Sequence, residues 1–220
     1  MKKRILLICI AISICVLAIS QKKFNNSQFT LISYVCSVDA RIDKELSNFD
    51  AYINCTPPKG TDKVITMMTH SVFSMVKDRL ETMLNIYMPP VNSFQDYAKY
   101  DAFGYPDILI QKAIKKGDSK YYLKIIANIE TETGLPSNSN NADLKPQIKV
   151  TLEIYSKEGY VPVKVAEGVS AATSPLSNEP GVITNLNFVK LPDDKKLQDV
   201  NSIKILILEA IDAAITKLQY

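Results

Sequence analysis

The stretch KYYLKIIANIET (Lys120–Thr131) decides how this chain folds. Tyr121, Leu123, Ile125, Ala127 and Ile129 share one side of an extended chain, and Tyr122, Lys124, Ile126, Asn128 and Glu130 share the other. Such alternation marks a β-strand with one buried and one wetter face. Gln147–Ser156 repeats the pattern, with Ile148, Val150, Leu152 and Ile154 inward. The turn Lys157-Glu158-Gly159 then carries the chain into a further strand, Tyr160–Val169. Upstream, Pro106–Ile114 (PDILIQKAI) reads as the first strand of the set, and Lys115-Lys116-Gly117-Asp118-Ser119 as the turn after it. Residues 132–146 and 171–187 are polar connections rich in Asn, Ser and Pro.

Helical patterns flank these strands. Between Asp62 and Met88 the residues Ile65, Met68, Val72, Met75, Met83 and Ile86 recur at three- and four-residue steps, and Pro89-Pro90 stops the pattern. Asp199–Gln219 carries Val200, Ile203, Leu206, Ala210, Ile211, Ala214, Ile215 and Leu218, an apolar surface over more than half its circumference. Strands grouped between helices imply an α+β fold: an antiparallel sheet of about four strands with the two long helices packed on one face. Phe29–Val38 (FTLISYVCSV) reads either as a strand or as the start of a helix running into DARIDKELSNF. The chain therefore divides into an N-terminal extension, 21–60, and a single domain, 61–220.

Residues 1–20 are an address. Lys2, Lys3 and Arg4 precede an uncharged run, Ile5–Ile19, shorter than the roughly 20 residues that span a bilayer. Ala18-Ile19-Ser20 supplies small residues for cleavage between Ser20 and Gln21. A lipid-bearing Cys15 and an uncleaved anchor are the alternatives. Of 26 basic residues three lie in this segment, so residues 21–220 balance 23 bases against 23 acids. The basic excess belongs to the address, and a nucleic-acid partner loses its support. On this reading the chain meets a membrane only through an uncleaved or lipidated N-terminus. Cys9 and Cys15 leave with the address. The remaining pair, Cys36 and Cys55, reads as a disulfide in an exported chain, the alternative being two free buried thiols.

Composition excludes much chemistry. The seven glycines form no G-x-G, which removes dinucleotide and phosphate cradles. His70 is the single histidine, so a serine triad, a Cys–His pair or a multi-histidine metal site would have to use it. Met67, Met68, Met75, Met83 and Met88 raise the thought of Cu(I), but Met68, Met75 and Met83 share the stripe of the aliphatics and read as core. No cofactor or metal is expected. Asp193-Asp194 and Glu130/Glu132 are acidic pairs at element ends, where solvated charge is the default. Candidate interaction residues are the loop aromatics Phe94, Tyr97, Tyr100, Phe103 and Tyr105, together with Tyr121 and Tyr122.

Tyr100-Asp101-Ala102-Phe103-Gly104-Tyr105-Pro106, the Lys115-Lys116-Gly117 turn and the YYLKI strand after it resemble a group of uncharacterised secreted envelope proteins of Gram-negative bacteria. The order of elements is similar to the small α+β domain of curli-assembly lipoproteins. These resemblances imply an accessory role in the envelope or periplasm and supply no catalytic residues. The expectation is an exported, non-enzymatic binding protein whose partner is another envelope protein or a second copy of itself. One alternative is a carrier holding a small apolar ligand or lipid between the sheet and the Met-rich helix. A hydrolase working through two carboxylates is another.

Overall fold

The computed structural model describes residues 23–39, 57–61, 63–94, 96–131, 146–170 and 193–219, excepting the side chains of 63, 64, 131 and 193–202. In chain order the elements are β1 (Phe29–Val38), α1 (Lys63–Leu84), β2 (Lys99–Tyr100), β3 (Pro106–Asp107), α2 (Ile110–Lys116), β4 (Tyr121–Thr131), β5 (Pro146–Ser156), β6 (Pro162–Val169) and α3 (Asp193–Gln219). The fold is α+β, as the grouping of strands implies. Its sheet differs from the expected four antiparallel strands: it has six, ordered β2-β3-β1-β4-β5-β6, and is mixed.

The antiparallel part is the part that alternation reveals. β4 pairs with β5 along its whole length, from Tyr121 opposite Ser156 to Thr131 opposite Pro146, and β5 pairs with β6. The additional feature is β1, which lies parallel to β4, with Phe29 opposite Tyr121 and Val38 opposite Ile129. Parallel neighbours need a crossover connection, and α1 lies within the connection from β1 to β4. Phe29–Val38, placed in an extension by its sequence, is thus an interior strand. Its alternation was hard to read because the register with β4 shifts between Leu31 and Ser33. One extra residue there switches parity. Phe29 and Leu31 face the helices before the bulge, Tyr34, Cys36 and Val38 face them after it, and Ile32 joins a cluster on the opposite side.

Pro106–Ile114 is a second correction. Only Pro106 and Asp107 are strand, and Ile110–Lys116 is a helix that ends where the Gly117 amide donates to the Ala113 carbonyl at 2.7 Å. Ile110, Ala113 and Ile114 are spaced three and four apart, so the segment satisfies a helical face as well as a strand. Burial decides: Ala113 is fully buried, with Ile110 and Ile114 packed around its cluster. Helix α1 also stops earlier than Met88. Asn85 takes a left-handed conformation (φ 50°), a common helix ending, and its side-chain amide donates to the Asn25 and Asn26 side-chain oxygens at 2.5 and 3.0 Å.

Both long helices cover one face of the sheet. Val72, Val76 and Leu80 of α1 and Ile207, Ile211 and Ile215 of α3 share a core with Leu123, Ile125, Ile148 and Leu152. Each such aliphatic side chain, fully removed from water, contributes about 1.5–3 kcal/mol. Arg79 and Asp212 join the two helices at 3.2 Å. Helix α2 and the chain before β2 cover part of the opposite face around Tyr122, Ile32, Phe94 and Ile108. Among the described residues no helix is long and apolar enough to cross a membrane.

Candidate interaction surface

The aromatic residues singled out in the sequence divide between the two sides of the sheet. Tyr121 stacks on Phe29 at 5.0 Å on the helix side, with Phe24 against both rings. Tyr105 packs edge-on to Tyr34 at 4.6 Å and beside Phe73 at 4.8 Å. Phe94 and Tyr122 belong to the opposite cluster, where Tyr97 meets Phe94 edge-on. Phe94, Tyr105, Tyr121 and Tyr122 are buried, whereas Tyr97, Tyr100 and Phe103 are half-buried. The loop is built to hold its aromatics in. Asp101 Oδ1 accepts the amides of Phe103 (2.9 Å) and Tyr105 (2.8 Å), and Gly104 takes φ +85° between them.

Among the described residues, the buried hydroxyl and thiol on β1 are held in their neutral forms. The Tyr34 hydroxyl donates to the Thr69 carbonyl at 2.8 Å, and burial keeps it protonated far above the ordinary phenol range. His70 is exposed, and its Nδ1 lies 3.0 Å from the Tyr105 hydroxyl. Cys36 is an unbridged thiol; Cys55 lies outside the described residues. Burial pushes the Cys36 thiol up to about 11, against the opposing effect of hydrogen bonds with Tyr34 and Thr69. A thiol held in its neutral form at neutral pH is not a nucleophile. No group of three metal-ligating side chains occurs among the described residues. Met68 is buried and Met67, Met75 and Met83 pack around the core, so the methionines fill space under α1. Of the acidic pairs, Glu130 is exposed near the end of β4; Glu132 and the side chains of Asp193 and Asp194 lie outside the described residues. Ser20, Gln21 and Cys15 lie outside them as well.

A polar cleft of about 300 Å³ is lined by Gln28, Thr30, Ser93, Phe94, Tyr97, Lys116, Gly117, Asp118 and Ser119. Its polar groups mostly serve one another: Ser119 Oγ bonds to the Gln28 amide and the Thr30 hydroxyl, and the Tyr97 hydroxyl donates to the Lys116 carbonyl. The Tyr122 ring lies under Gly117, so close that a Cβ there would meet its hydroxyl at 2.8 Å.

Among the described residues β6 presents an exposed apolar face, and sequence reasoning missed it. Val163, Val165 and Val169 are exposed, along with Tyr160 and Val161 just before the strand; Val161 is 76% exposed. The helix side of the same strand carries Lys164, Ala166 and Gly168. The inversion has a steric cause. A Cβ at Gly168 would stand 1.9 Å from the Ala210 carbonyl oxygen and 2.5 Å from the Ala214 nitrogen. Helix α3 lies so close to β6 that only small residues fit beneath it, and the valines take the outer face. The signal was present in VPVKVAEGV, where one alternating set is bulky and the other shrinks to Ala166 and Gly168.

β6 also ends the sheet. Ser170 N–H donates to the Ile148 carbonyl, which sets the hydrogen-bond phase of the β5–β6 pair. Val165, Glu167 and Val169 therefore direct their backbone groups away from β5. Lys217 Nζ takes the Glu167 carbonyl at 2.7 Å, and Lys149 pairs with the Glu167 carboxylate at 2.9 Å. The opposite edge, β2, is only two residues long.

No family model matches this chain, and no curated protein matches it. Among solved structures it is similar to the PelC dodecamer from Paraburkholderia phytofirmans, at 13% identity over 86% of this chain and 91% of that chain, with a TM-score of 0.33. It is similar to lipoprotein GNA1162 from Neisseria meningitidis at 8% identity over 66% and 81% of the two chains (TM-score 0.37). A third likeness is to the hypothetical protein CT253 from Chlamydia trachomatis, at 8% identity over 88% and 96% (TM-score 0.42). Overlaps this loose carry no inference about activity or partners.

Proposed function

We propose that this chain is an exported, non-enzymatic protein of the cell envelope or periplasm that works by association, and that its partner is a second copy of itself joined through β6. The observation that supports this reading is the valine-lined strand at the end of the described sheet. An exposed, apolar edge strand is a template for strand addition. Its pattern is also self-complementary. Two copies paired antiparallel about Val165 set Val165 against Val165, Val161 against Val169 and Val163 against Glu167, with Lys164 opposite Ala166. No like charges face one another in that register. The arrangement is a two-fold, isologous interface of the kind that dominates soluble oligomers.

The basic and apolar address at residues 1–20 supports export. The neutral Cys36 thiol supports a non-enzymatic role, as does the core packing of the methionines. Size-exclusion chromatography with light scattering tests the reading. The native chain should form dimers that dissociate on dilution, and the V163K/V165K variant should be monomeric under the same conditions. A native chain that stays monomeric at every concentration contradicts self-association.

A further inference from the structure

Overall neutrality beyond the address conceals a local imbalance of charge. Gln28 bridges Tyr87, Phe29 pairs with Tyr121, and Tyr121 with Ser156, so the starts of β1 and β4, the end of β5 and the residues after α1 meet at one end of the sheet. The Lys157 amide donates to the Lys120 carbonyl at 3.1 Å, which places those two lysines side by side. Lys120 Nζ stands 5.3 Å from the Tyr121 ring centre and Lys23 Nζ 5.6 Å from that of Phe24, and these two rings touch. Lys23, Lys120 and Lys157 are all exposed, and the exposed Lys115 and Lys116 form the last turn of α2, just ahead of β4. Against these five lysines this end presents the exposed carboxylates Asp118 and Glu158, with Asp96 exposed beside Tyr97 and Glu81 paired to Lys77. Exposed Tyr87 (58%), Tyr160 (51%) and Val161 lie among them.

The chain also enters the fold at this end. Phe24 is buried against Phe29 and Tyr121, which fixes where the preceding residues depart. The uncharged run Ile5–Ile19 ends four residues before Lys23, a distance of about 14 Å at full extension. In a chain that keeps this run as an uncleaved anchor, the bilayer lies within about 14 Å of Lys23, and the lysine-rimmed end of the sheet is the part of the domain next to it.

We propose that this end is a membrane-facing surface for anionic phospholipid headgroups, with lysines meeting phosphates and Tyr87 and Tyr160 entering the interface. Amphipathic tyrosines at headgroup depth and lysines near an anionic leaflet are both favoured there. The full chain, carried into vesicles containing about 30% phosphatidylglycerol, should be footprinted with a water-soluble acetylating reagent and read by mass spectrometry. Lys23, Lys120 and Lys157 should lose reactivity relative to the chain in detergent, while exposed Lys59, ahead of the opposite end of α1, keeps its own. Unchanged reactivity at Lys120 and Lys157, or equal loss at Lys59, overturns the proposal. Equal protection on phosphatidylcholine vesicles overturns it too, because the tether alone would then orient the domain.

Discussion

β4 and β6 lie one strand apart in the same sheet and present opposite solutions. In β4 the apolar set Leu123, Ile125, Ala127 and Ile129 points to the helices and is fully buried. In β6 the valines point away from the helices, and the buried side is Ala166 and Gly168. Both strands alternate, so alternation alone fixes which residues share a face. Which face goes inside depends on how close the covering helix comes. Over β4 there is room for isoleucine; over β6 the backbone of Ala210 and Ala214 stands where a side chain would be.

The largest expected effect is on the β4 side of this contrast. Ile125→Ala empties a fully buried position and should cost about 3–4 kcal/mol, read from a chemical denaturation midpoint. Gly168→Ala attacks the other side by adding a single carbon where none fits. It should cost about 2–3 kcal/mol through strain between β6 and α3. A cost near zero would mean that the close helix is not what turns the valines outward. V163K/V165K, which abolishes the proposed dimer, should leave the stability of the monomer within about 0.5 kcal/mol, since both valines are on the exposed face of β6.

Strand β1 extends the comparison to a titratable group on the helix side. The folded Cys36 thiol is raised to about 11 from an ordinary 9.0, so the folded chain keeps a proton that the unfolded chain gives up. Its contribution to stability is complete below about pH 9 and declines as pH rises toward about 11. At neutral pH the native thiol should resist alkylation and react once the chain is unfolded, without reductant. Labelling that requires reductant would restore the Cys36–Cys55 bond the sequence suggested.

The central antiparallel ladder was legible because β4 and β5 are sandwiched between other strands and alternate without interruption. The long helices were legible from their apolar stripes, and both do cover one face. β1 was obscured by its bulge and by pairing in parallel with a strand far along the chain, which local periodicity cannot report. Ile110–Lys116 was misread because a short apolar segment fits either period. The aromatic residues Phe94, Tyr105, Tyr121 and Tyr122 looked like binding groups and are core. The valines of β6 were not singled out in the sequence and are exposed. In both cases the deciding fact is a three-dimensional contact, Asp101 gathering its loop inward and Ala210 crowding Gly168.

Hydrogen–deuterium exchange of β6 as a function of protein concentration tests the central claim most directly. The amides of Val165 and Val169 point off the edge of the sheet, so strand addition predicts slow exchange at dimer-forming concentration and fast exchange on dilution, with the amides of Ala166 and Gly168 protected throughout. Exchange at Val165 that does not change with concentration would contradict strand addition at β6.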